Sequence, residues 1–122
     1  MNNLEIDLAW LLMLAEHKTP GDPQVTDWGA LVAAVARHQA TVFDVPVYDS
    51  PQARAAALLQ LLIHVPALER SNALFASAVA YLVASGVKVI TSPEQVRDLA
   101  RLVKSGEASV RDIEQELRQW SL

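Results

Sequence analysis

The sequence predicts an all-α fold, and three observations carry the prediction. The 122 residues are rich in Ala and Leu, with only 4 Gly and 6% aromatics, a composition that favours helices over a sandwich or barrel of short strands. Apolar residues recur at helical spacing between breakers made of Pro and Gly. A stretch from Ser71 to Gly86 carries no charge, opens on a capping residue and closes on Gly, the pattern of a helix buried on all sides. One domain covering residues 1–122 follows from the length, and 52% hydrophobic residues suffice for a core without a metal or disulfide staple.

The elements follow in order. Leu4, Leu8, Leu11 and Leu12 mark a first helix from Leu4 to about His17, which Thr19-Pro20-Gly21-Asp22-Pro23 cannot continue. Asp27 is an N-cap for a second helix, with Trp28, Leu31, Val32 and Val35 as its apolar stripe and Arg37 and His38 at its C-terminus. Thr41 to Tyr48 is rich in β-branched and aromatic residues; Pro46 bars a central strand, so this segment reads as an extended flap or short edge hairpin. Ser50-Pro51 opens a third helix that ends near His64, ahead of Pro66. The charge-free stretch forms the fourth, as the central helix of a bundle. Ser92-Pro93 with Gln95 as capping-box partner starts a fifth, closed by Gly106, and Ser109 starts a sixth that runs to about Trp120. Trp10, Trp28 and Trp120 read as packing residues rather than a stacking platform.

Charge narrows the function classes. Ten Lys and Arg against 14 Asp and Glu give a net charge of -4, so there is no diffuse basic surface for direct nucleic-acid binding. Arg101, Lys104, Arg111 and Arg118 alternate with Glu107, Asp112, Glu114 and Glu116, as on a solvated face. Without Cys there is no thiolate nucleophile or Cys-ligated zinc. The start, MNNLEIDLAW, lacks a basic region followed by an apolar run, and the charge-free stretch is too short and Ser-rich for a membrane span. A cytoplasmic protein with no membrane contact is expected. There is no Gly-rich phosphate loop, and the three His are scattered. His64, at a helix end beside a Pro-containing loop, is either a general base or a cation complementing the helix dipole.

The segment from His64 through Pro66, Leu68, Glu69-Arg70-Ser71-Asn72, Tyr81-Leu82 and Ser85-Gly86 resembles the Fic/Doc (Fido) family, specifically the death-on-curing toxins. Those toxins carry His-x-Phe-x-Asp-Gly/Ala-Asn-Lys-Arg-Thr-Ala, followed by an apolar helix with an aromatic-Leu pair and an Asn-Gly end. Val25-Thr26-Asp27, Arg37-His38-Gln39-Ala40-Thr41, Ser92-Pro93, Gly106-Glu107 and Ser109-Val110 are similar to the family as well. The resemblance implies a compact bundle of about six helices with a central buried helix and a short extended flap. It also implies a catalytic His64, a nucleotide loop at Glu69, Arg70, Ser71 and Asn72, and a flap that docks the target through Val45, Val47 and Tyr48.

Within the motif His64 alone matches. Phe falls on Pro66, the metal-holding acid on Leu68, the small residue on Glu69, and the Asn, Lys and Arg on Arg70, Ser71 and Asn72. Leu68 cannot ligate Mg²⁺, which takes oxygen ligands. The motif is therefore degenerate. The expectation is a Doc-like toxin component impaired in ATP-dependent transfer, with no metal ligand and no cofactor, acting on an antitoxin-like protein or a translation factor. The alternative is an active transferase with a remodelled site, moving phosphoryl or AMP from Mg-ATP to a hydroxyl of a factor such as elongation factor Tu, with His64 as base.

Overall fold

Side-chain oxygens start most of the helices, as their sequences require. In the computed structural model, which describes residues 6–84 and 91–120, α1 spans Leu8–Lys18 and is capped by Asp7, whose carboxylate accepts from the Trp10 N–H at 2.8 Å. The first helix thus starts later than its Leu spacing predicts, because Asp7 is the cap rather than an interior residue; Leu4 lies outside the described residues. Asp27 caps α2 (Trp28–His38), and Ser50 caps α3 (Pro51–His64) with Pro51 in the first turn. The charge-free helix α4 covers Asn72–Ala84; the expected Ser85-Gly86 terminus falls outside the described residues.

The last two helices carry reciprocal caps. In α5 (Pro93–Lys104) the Ser92 hydroxyl accepts from Gln95 N–H while the Gln95 side chain accepts from Ser92 N–H. In α6 (Val110–Trp120) Ser109 and Asp112 do the same at 3.1 and 3.0 Å. The flap is a hairpin of β1 (Thr41–Val42) and β2 (Val45–Pro46), with Val42 opposite Val45. Both turn residues are left-handed, Phe43 at φ 50° and Asp44 at φ 65°, which matches the strand twist but suits Asn-Gly better than Phe-Asp.

The hub of the bundle is α3 rather than α4. It packs along α4 and also meets α2, α5 and α6. Its run Ala55-Ala56-Ala57 is fully buried, because a helix with methyl side chains lets neighbours approach from several sides. Leu58 and Leu62 of α3, Phe75 and Val79 of α4 and Ile113 of α6 complete the core. Helix α4 is buried along Phe75, Ala76, Val79, Ala80 and Val83, yet Leu74 and Tyr81 are 49% and 47% exposed. This corrects the expectation of burial on every side: the helix lacks charge, but α5 barely touches it, so one apolar face stays open. Trp28 and Val32 also leave the expected stripe of α2, which buries Ala30, Leu31, Ala34 and His38 instead. Trp120 is buried and Trp10 packs at the core's edge.

Candidate functional site

His64 is the last residue of α3 and its side chain is exposed. Val65 ends the helix, its N–H still donating to Leu61 at 2.8 Å, and Pro66 prevents another turn. The loop from Val65 to Ser71 then crosses to α4 with two small anchors inside the protein, Ala67 at 0% and Leu68 at 2% exposure. Ser71 is left-handed, at φ 64°. Asn72 braces the turn: its Oδ1 accepts from the Leu68 N–H and its Nδ2 donates to the Leu68 carbonyl, both at 2.9 Å.

A second segment covers this loop. Thr26 and Asp27 N–H both donate to the Ala67 carbonyl, at 2.8 and 3.1 Å, Glu69 N–H donates to the Gln24 carbonyl at 2.9 Å, and Val25 bridges Leu68 antiparallel. Arg70 reaches the Gly21 carbonyl at 2.8 Å and pairs with the Glu69 carboxylate. The N–H groups of Leu68 and Glu69, which in an anion-binding loop point at the ligand, are thus already engaged by protein acceptors. Residues 20–27, between the first helix and the second, act as a strap over the motif. Gly21 turns the strap with a left-handed φ of +77°, a conformation that strains other residues.

The flap residues lie elsewhere on the surface of the bundle. Val45 and Val47 are exposed, and Phe43 at the hairpin tip is 96% exposed. Tyr48 is half-buried and holds the base of the flap: its hydroxyl accepts from Arg37 Nε at 3.1 Å, its carbonyl accepts from Arg54 at 3.2 Å, and the Arg37 guanidinium lies 5.8 Å from the ring centre. Arg37 also donates to Gln60 of α3 at 2.9 Å. Tyr48 is therefore a fixed support, whereas Val45, Val47 and Phe43 are the surface it presents.

No protein-family model matches the chain. The Toxin Doc of Mycolicibacterium smegmatis (strain ATCC 700084 / mc(2)155) is 37% identical over 101 residues, 80% of this chain and 78% of that protein. The chain belongs to the Doc toxin family.

Leu68, at the place where the family resemblance puts a metal-holding acid, is inserted in the core, and among the described residues no cluster of three or more His, Asp or Glu could hold a metal ion. The residues present do not fit Mg²⁺. Glu69 is neutralised by Arg70, in a half-exposed pair of little stability value. Glu69, Arg70, Ser71 and Asn72 are adjacent as the sequence demands, but Arg70 points at the strap and Asn72 back at the loop. Sequence reasoning did not find Arg37, Gln60 or Gly21 as supports, because their partners are distant along the chain.

Proposed function

We propose that this Doc-family chain is the toxin component of a toxin–antitoxin pair, with a degenerate Fic motif, and that it acts by binding protein partners rather than by efficient transfer from ATP. The observation that carries this reading is the closed loop. Leu68 and Glu69 N–H are spent on Asn72 and Gln24, and Leu68 fills the core where the metal acid belongs. A polyphosphate at that place would have to displace the strap and sit beside the Glu69 carboxylate, both unfavourable. The partner surfaces are the flap, where Val45, Val47 and Phe43 stand exposed on a hairpin anchored by Tyr48, and the ground beside His64. By the Doc resemblance the partners are an antitoxin, whose segment covers the toxin's site, and a translation factor.

One observation favours the second reading, a remodelled transferase. His64 is exposed at the mouth of the loop and free to take the proton of an approaching hydroxyl. Label transfer separates the two. Purified protein is incubated with α- or γ-labelled ATP, Mg²⁺ and elongation factor Tu or whole lysate, with the His64→Ala variant and an active Doc toxin alongside. The partner-binding reading expects label from the active toxin only. Labelling by the wild type that His64→Ala abolishes would replace it with the transferase reading.

A further inference from the structure

The strap at residues 20–27 buries little of itself. Pro23 is buried and Val25 half-buried, but Gly21, Asp22, Gln24, Thr26 and Asp27 are exposed. Both ends of the segment are fixed. At one, the buried Thr19 donates its hydroxyl to the Ala15 carbonyl of α1; at the other, Asp27 caps α2 by accepting from the Ala30 N–H at 3.1 Å. Between these anchors Gly21 and Asp22 are consecutive left-handed residues, at φ 77° and 46°, a turn that Gly takes freely and Asp tolerates.

Hydrogen bonds rather than packing join the strap to the motif loop. Thr26 and Asp27 N–H share the Ala67 carbonyl, Glu69 N–H donates to Gln24, and Arg70 Nη2 donates to the Gly21 carbonyl. A segment held by exposed backbone hydrogen bonds, with little buried apolar area, opens at a free energy well below that of global unfolding. The loop beneath it is held differently: Leu68 sits in the core, 2% exposed, and its N–H is bonded to Asn72. Lifting the strap therefore leaves the loop in place and bares the Ala67 carbonyl, the Glu69 N–H and the Arg70 guanidinium. Among the described residues Arg70 is the loop side chain that donates across to the strap, and it does so at Gly21, the end that no backbone bond from the loop reaches.

We propose that residues 20–27 are a latch that opens and closes over the motif loop as one unit, with Arg70 as its bolt. The latch rests on the closed-loop reading above and adds its regulation. Access to the loop equals the fraction of molecules in which the strap is lifted, and a ligand that needs the Glu69 N–H binds more weakly by that fraction. Arg70 sets the fraction through its bond to Gly21.

Native-state amide exchange on the full chain reads the latch directly. The N–H groups of Thr26 and Asp27 on the strap and of Glu69 on the loop should share one opening equilibrium, with protection well below that of Val79 in the core. Arg70→Ala should speed exchange at all three by about tenfold, as expected from losing one charge-assisted hydrogen bond. Leu68, bonded to Asn72, and Val79 should keep their wild-type protection, which also reports that the variant is folded. Arg70→Lys, which keeps the charge, should fall between wild type and Arg70→Ala. Protection of the three amides equal to that of Val79 would mean that the strap lifts only when the bundle unfolds. Unequal opening of the three, or an effect of Arg70→Ala that is absent or confined to Glu69, would mean separate local contacts, and acceleration at Leu68 would mean that the loop leaves with the strap. Each of these results would overturn the proposal. The exchange needs neither ATP nor a partner, so the latch can fail while the partner-binding reading stands, and label transfer can remove that reading while the latch stands.

Discussion

Asn72 holds the loop together. By resemblance it stands where a phosphate-binding Arg belongs, yet its amide closes a reciprocal pair with the Leu68 backbone. Asn72→Ala should leave the Leu68 N–H, on a residue only 2% exposed, without a partner, costing about 1–3 kcal/mol in a urea unfolding experiment. Asp112 gives a pH signature at the same scale. The Ser109 N–H donated to its carboxylate, with the Ser109 side chain next, holds the group below the ordinary aspartate value. Since the folded value is the lower one, its contribution is complete above pH about 4 and fades as pH falls through the folded value. A carboxyl NMR titration should place the Asp112 midpoint below the ordinary aspartate value, with the first turn of α6 fraying as it protonates. A midpoint at the ordinary value would refute the cap's role.

At the scale of elements, the flap hairpin carries strain at its tip. Phe43 and Asp44 are both left-handed, at a cost of about 1 kcal/mol or more for a residue with a bulky side chain. Replacing the pair by Asn-Gly should stabilise the hairpin by about 1–2 kcal/mol, read as slower amide exchange at Val47, whose N–H donates to Ala40 at 2.9 Å. The same change removes the fully exposed aromatic, so partner capture through the flap should weaken while the fold gains stability. Element starts were legible in the sequence wherever a side chain caps its own helix: Asp27, Ser50, Ser92 and Ser109 all stand where their spacing placed them. The first helix was read too long because Leu spacing continues past a cap; the short hairpin was legible, but its left-handed Phe43-Asp44 tip has no local signal. What α4 packs against was not legible at all. Periodicity reports the polarity of a helix and not how many neighbours it has, and the hub fell to the Ala-rich α3.

For the whole molecule, the core and the motif loop are one structure. Leu68 belongs to the same apolar cluster as Phe75 and Leu62, so an acid at this position would damage the bundle. Leu68→Asp should therefore lower stability by at least about 3 kcal/mol and confer no Mg²⁺-dependent shift in melting temperature; a stable variant that Mg²⁺ stabilises further would show that the loop can turn outward. The resemblance was legible from His64 and the tail motifs. The closure of the loop was not, because the strap at 20–27 is far from residues 67–70 along the chain and contributes mostly backbone groups, which leave no side-chain pattern. The most direct test of the closed loop is a calorimetric titration of the full chain with Mg·ATP, with an active Doc toxin as positive control. The structure predicts no saturable heat where the control binds; saturable one-to-one binding that perturbs the amides of Glu69 and Arg70 would contradict it.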